Sequence, residues 1–171
     1  MVLKKQILFI FIILLSINFC FSQYNDEIVP PVKLMGPRIG CTYITPGETV
    51  DKLDEELGVS PFISQIGWQF ETRFFTLPSG FSGLVEGVIL IGGVEQNTFL
   101  PSGSFLIGVR GANGLEFGVG PNLSLTGIAY VLAVGINFNS NNINFPINFA
   151  VATSSEGLRY TILVGFNARR R

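Results

Sequence analysis

The chain has 171 residues, of which 11 are Lys or Arg, 12 are Asp or Glu and none is His. Charged residues make up 13%, about half the roughly 25% of an ordinary soluble domain, yet there are 20 glycines and 16 phenylalanines. So apolar a composition excludes a disordered chain. The lack of a basic stripe speaks against nucleic acid as a partner, and any chemistry that needs an imidazole is ruled out.

Met1 to Ser22 reads as a secretory signal peptide. Lys4 and Lys5 form its charged region and Ile7 to Ile17 its apolar run, with Cys20 and Ser22 at the small-residue positions before Gln23. The apolar run is short of the ~20 residues of a spanning helix. With Cys20 removed, Cys41 is the only cysteine left and no intrachain disulfide is expected. Residues 23–36 are polar and then Pro-rich, and read as an N-terminal lead-in. The domain is expected over 37–171.

From Pro37 onward the chain alternates polar and apolar residues with period two, the pattern of half-buried strands. Eight strands are predicted, near 37–45, 62–77, 82–94, 102–111, 115–124, 128–138, 142–153 and 158–167. The second is the clearest. Ile66, Trp68, Phe70, Thr72 and Phe74 fall on one face, and Gln65, Gly67, Gln69, Glu71 and Arg73 fall on the other. Between the first two strands, Thr45, Pro46 and Glu48 form a helix-start pattern, predicting a short helix over 46–57 that Gly58 ends. Its acidic residues lack the spacing of a calcium loop and read as a solvated face. The remaining connections are short and rich in Pro, Ser, Gly and Asn, which makes neighbouring strands antiparallel. The expected fold is all-β, an eight-stranded up-and-down meander barrel with one short helix in the first long loop.

Three features turn the apolar face outward, into lipid. The polar face is mostly Gly, Asn, Ser and Thr, too poor in charge for a water-facing surface. Glycines travel with that polar set, as a narrow lumen requires. Aromatic residues fall at strand ends, where a membrane barrel carries its interfacial girdles. Trp68, Phe74, Phe117, Tyr130, Phe138, Phe145, Tyr160 and Phe166 are the expected interface aromatics. The charged residues Glu71, Arg73, Glu86, Arg110, Glu116 and Arg159 are then expected to form structural ion pairs in the lumen. A three-residue turn at 112–114 sets Arg110 opposite Glu116, and a four-residue connection at 78–81 sets Arg73 opposite Glu86. Two features fit the pattern poorly. The strand from Leu84 to Val94 is apolar on both faces apart from Glu86, and Pro146 sits mid-strand, where a bulge is expected.

Through Gly114–Ser124 (GLEFGVGPNLS), Leu158–Asn167 (LRYTILVGFN) and the signal sequence, the chain resembles the small eight-stranded outer-membrane β-barrel proteins of diderm bacteria. The resemblance implies residence in the outer membrane, contact with its lipid, and recognition of the C-terminal strand by the barrel-assembly machinery. Phe166 stands where such proteins end on an aromatic residue, although five residues follow it here. The resemblance brings no cofactor and no activity. No G-x-S-x-G, phosphate loop or zinc spacing occurs, so catalysis is not expected. The alternative is a periplasmic or secreted lipocalin-like barrel with its aromatics turned inward around an apolar ligand. Trp68 separates the two readings, facing lipid in one and the cavity in the other.

Overall fold

In the computed structural model, the described residues are 31–47, 55, 58, 60–140, 143–154 and 157–169. The signal segment and most of the 46–57 segment, with its expected helix, lie outside them. Among the described residues, nine strands form a single antiparallel sheet: β1 (Val32–Ile44), β2 (Phe62–Thr76), β3 (Ser82–Gly92), β4 (Leu100–Arg110), β5 (Leu115–Ser124), β6 (Gly127–Ser140), β7 (Ile143–Ser154), β8 (Gly157–Gly165) and β9 (Asn167–Arg169). Each strand pairs with the next, and β1 pairs with β2 on one side and with β8 and β9 on the other, so the sheet closes. A 3-10 turn, Val94–Gln96, lies between β3 and β4.

β8 and β9 are one stave of an eight-stave barrel. The register against β1 is the same on both sides of the break, with Arg38 opposite Gly165 and Met35 opposite Ala168. Phe166 therefore faces Pro37, which has no N–H to give to the ladder. On the other flank the same break lies beside Phe145 and Pro146 of β7, between Ile147↔Val164 and Asn144↔Asn167. The two prolines thus share one defect. Pro146 causes no bulge, because its pairing with Asn137 of β6 runs on without a shift. β1 starts at Val32 rather than Pro37, since β2 extends to Thr76 and Val32 partners Arg73.

The inward–outward alternation follows the sequence. Ile66, Trp68, Phe70, Phe117, Val119, Ile147 and Ile162 are all exposed on the outside, while Gln69, Glu71, Glu116 and Asn122 are buried within. Inward glycines have a specific reason. A Cβ on Gly120 would collide with the backbone carbonyl oxygen of Phe105 on β4, and one on Gly67 with that of Ile89 on β3. Strands coiled tightly enough to close a barrel this narrow bring the inner face of one against the backbone of the next.

Replacing Gly120 by Val is expected to destabilise the barrel by about 3 kcal/mol through this overpacking. The measurement is the urea midpoint for loss of the compact, heat-modifiable band on an unheated gel, with the outward Val119→Ile change as the neutral control.

Candidate functional site

The short turns assemble the lumen's charges in the half nearest the rim where β1 begins and β9 ends, the terminal rim. Between β4 and β5, Gly114 takes a left-handed conformation (φ 84°), and the turn closes with Gly111 N–H donating to Leu115 O at 2.8 Å. That register sets Arg110 opposite Glu116. The β2–β3 connection differs from expectation in two places. Its turn is one residue tighter, closed by Leu77 N–H to Phe81 O, and β2 shifts register between Arg73 and Phe75. Each change moves the partner by one position. Together they keep Arg73 and Glu86 on their expected inner face but set Arg73 opposite Leu84, while Glu86 comes opposite Glu71, and beyond the bulge they turn Phe75 outward and Thr76 inward onto Ser82.

Glu71 is the hub, with its side chain wholly buried. Arg110 grips it with two parallel bonds, Nη1 to Oε1 at 2.7 Å and Nη2 to Oε2 at 2.8 Å, and gives its Nε to Glu116 at 2.6 Å. Arg73 Nε adds a third cationic donor at 3.0 Å. Such charge-assisted, bidentate bonds are about twice as strong as neutral ones. Glu86 accepts from Gln69 Nε2 at 2.7 Å, and Gln69 in turn accepts from Arg38 Nε at 2.8 Å. Arg38 Nη2 then reaches Asn167 Oδ1 at 2.8 Å, and Asn167 Nδ2 returns to Glu71 at 3.4 Å. One continuous network therefore joins β1, β2, β3, β4, β5 and β9 across the lumen.

Of the six charged residues expected in lumen pairs, five belong to this network. Arg159 does not. It lies at the opposite rim, opposite Ile44 in the ladder, where it donates to Ser124 Oγ at 2.9 Å and Asn122 Oδ1 at 3.2 Å. Arg38 is the residue the sequence reading left unassigned, and at 2% exposure it is among the most buried side chains. Besides its side-chain partners, its Nη1 donates to the carbonyls of Pro37 (2.8 Å) and Phe166 (3.5 Å). It thereby serves the very carbonyl that Pro37 cannot reach. The period-two rule carried into Leu34–Ile44 would have exposed it, since Leu34, Gly36, Arg38, Gly40 and Thr42 form one face.

The aromatic residues form two outer bands. Phe74, Phe117, Phe138, Phe145 and Phe166 ring the terminal rim, all exposed. Toward the other rim stand Tyr130, exposed, and Tyr160, which stacks on Phe149 with centroids 6.3 Å apart. Trp68 points outward but lies at mid-strand, opposite Pro37 and Ile89, in the middle of the apolar surface rather than in a band.

The rim away from the termini is strapped by the β3–β4 connection. Gln96 Nε2 donates to Phe62 O at 2.8 Å, and Glu95 accepts from the Ser64 N–H at 2.8 Å and from the Ser64 hydroxyl. The Ser64 hydrogen bonds hold the Glu95 carboxyl well below the usual carboxylate range, at about 2.

No protein-family model and no curated protein sequence matches the chain. Among solved structures it is similar to Ail, the attachment invasion locus protein of Yersinia pestis. Identity is 10% and the TM-score 0.52, over 82% of this chain and 97% of that one. The same protein in complex with the heparin analogue sucrose octasulfate gives a TM-score of 0.51 at the same identity and coverage. The likeness is one of fold. The chain is an eight-stranded β-barrel of the outer-membrane type, closed and antiparallel throughout, with an apolar outer surface.

Two outcomes follow. Glu71→Ala leaves Arg110 and Arg73 without their shared anion in a buried site and is expected to cost about 3–5 kcal/mol, read as a lowered urea midpoint of the heat-modifiable form. Because folding lowers the Glu95 pKa, the stabilisation of the β3–β4 strap is full above the unfolded carboxylate value and fades as pH falls toward 2. The protection of the Ser64 amide, measured against its intrinsic exchange rate at each pH, should fall over that window, and Glu95→Gln should abolish that fall.

Proposed function

We propose that the protein is an integral outer-membrane barrel whose lumen is closed by the Arg–Glu network and which acts without catalysis. Its role is structural or lies in interactions made through the rim away from the termini. The network carries this reading. Glu71, Glu86 and Glu116 face Arg38, Arg73 and Arg110, three acidic and three basic side chains, in a barrel whose eight staves leave room for little more than side chains.

The longer connections, 45–61 and 93–99, lie at one rim and the turns 77–81 and 111–114 at the other. Outer-membrane barrels carry longer loops outside and short turns in the periplasm, so the 45–61 rim faces the exterior. The polyanion bound by the similar Yersinia protein is not carried over. The 45–61 segment holds Glu48, Asp51, Asp54, Glu55 and Glu56 against Lys52 alone, and would repel a sulfated chain. We further propose that the signal peptide ends at Ser22 and that the barrel-assembly machinery reads the final strand around Phe166.

The lipocalin-like alternative requires aromatics around an inner ligand. Trp68 faces outward, and no aromatic residue is found among the described residues lining the lumen cavity. Membrane fractionation tests residence, with carbonate-resistant protein that shifts on boiling as the expected result and soluble periplasmic recovery as the contrary one. Planar-bilayer recording tests closure. The wild-type barrel should pass no steady current above background, whereas the Glu71→Ala/Arg110→Ala double variant, if it folds, should.

A further inference from the structure

Outside the network, the chain's charges are sorted by rim. The connections at the rim away from the termini are acidic, with Glu95 and Glu156 added to the residues of 45–61 and only Lys52 and Arg159 against them. The terminal rim is the reverse. Its turns, 77–81, 111–114 and 140–143, contain no charged residue. The charge it does carry is basic: Lys33 near the start of β1 and Arg169 at the end of β9, with Arg170 and Arg171 next in sequence. Asp26 and Glu27, upstream of Pro30, offset half of that charge.

Register places these cations at the edge of the apolar surface. Lys33 is exposed, on the outward face it shares with Ile39 and Tyr43. It lies opposite Thr72, two residues from Phe74 of the aromatic band. No acidic residue among the described residues pairs with it. A lysine so placed runs its alkyl stem along apolar surface and keeps its ammonium in the headgroup layer. Arg169 stands opposite Leu34, next to Lys33 in the ladder, and three residues past Phe166 of the same band, about 10 Å along an extended strand. A cation facing sideways at this height meets lipid headgroups before it meets any soluble molecule. A zwitterionic headgroup brings its own cation to its phosphate, whereas an anionic one leaves that phosphate open. Each basic residue beside an anionic membrane strengthens association about fivefold. We propose that the terminal rim is a docking surface for anionic phospholipid headgroups, held by Lys33 and the Arg169–Arg171 run. With the 45–61 rim outside, these lipids belong to the periplasmic leaflet. The site presupposes the membrane residence proposed above, and adds to it which lipid the barrel retains.

The test uses the full barrel, refolded in a neutral detergent and titrated with phosphatidylglycerol or phosphatidylcholine of identical acyl chains. Bound lipid is counted by native mass spectrometry. Phosphatidylglycerol binding about tenfold tighter or more is the expected result, and equal binding of the two overturns the proposal. Lys33→Gln should lower the preference about fivefold, and adding Arg169→Gln, Arg170→Gln and Arg171→Gln should bring the two lipids to parity. Lys52→Gln, at the other rim, should change nothing. A preference that survives the fourfold variant, or that follows Lys52, places the lipid elsewhere and counts against the site. Each variant is checked for its shift on boiling. If the fourfold variant fails to fold, Lys33→Gln decides alone, since Lys33 faces outward and enters no bond of the network. Poly-glutamate serves as the soluble competitor. If it displaces phosphatidylglycerol completely, the partner is an acidic polypeptide and the proposal falls. Soluble periplasmic recovery of the wild type would defeat the membrane reading, whereas a barrel that shifts on boiling but shows no headgroup preference would defeat this site alone.

Discussion

A barrel in lipid must pair every backbone N–H and C=O within itself, because no water is present to take a stray one. The seam at β1 is where this chain meets that constraint. β1 bonds to β2 along one edge and to the β8–β9 stave along the other. Pro37 and Pro146, each lacking a donor, are placed so that their deficits fall around one interruption at Phe166. Arg38 then lends a side-chain donor to the Phe166 carbonyl. Two separated defects would have weakened two regions of the closed ladder, and here a single buried guanidinium bridges the one that remains.

Closure also dictates what stands on the inner face. The curvature that brings eight staves round presses inward Cβ positions against neighbouring backbone, so glycine recurs there, as at Gly67 and Gly120. Glycine leaves little side-chain volume in the lumen. The remaining inward positions fill the terminal half with charged and amide groups. The other half keeps apolar side chains and a void. The apolar clusters inside are small, such as Ile44 with Ile63, or Val88 with Leu90 and Leu163. Most of the large apolar side chains point outward instead, where they match a hydrocarbon environment rather than forming a core.

A buried ion pair is weak evidence of net stabilisation, since desolvating two charges offsets much of their attraction. The Glu71 network is better understood as a register device. Its bonds add links between strands that are not ladder neighbours, β4 to β2 through Arg110 and β9 to β2 through Asn167, and they are lost if any of those strands slips. Glu71 and Glu86, two carboxylates directly opposite each other, would repel in isolation. Their placement holds because Arg110 and Arg73 serve one, and the Gln69 relay from Arg38 serves the other.

Much of this was legible in the residues themselves. Period-two alternation determined which side chains face out, because a strand's side chains alternate whatever its neighbours do. The 112–114 turn likewise disclosed its own register, since Gly114 and the charges of Arg110 and Glu116 all lie within seven residues. The partners of Arg73 and Glu86 were misjudged. A tighter turn and a bulge each moved the register by one position, and two single slips cancel in the face pattern that alternation reads. Arg159 was grouped with the other charges because alternation reports a face but not a height along the lumen. The roles of Arg38 and Asn167, more than a hundred residues apart, and the cavity opposite their network came only with closure. Sequence periodicity is a property of one strand, whereas a bond across the lumen depends on the tilt and stagger of all eight.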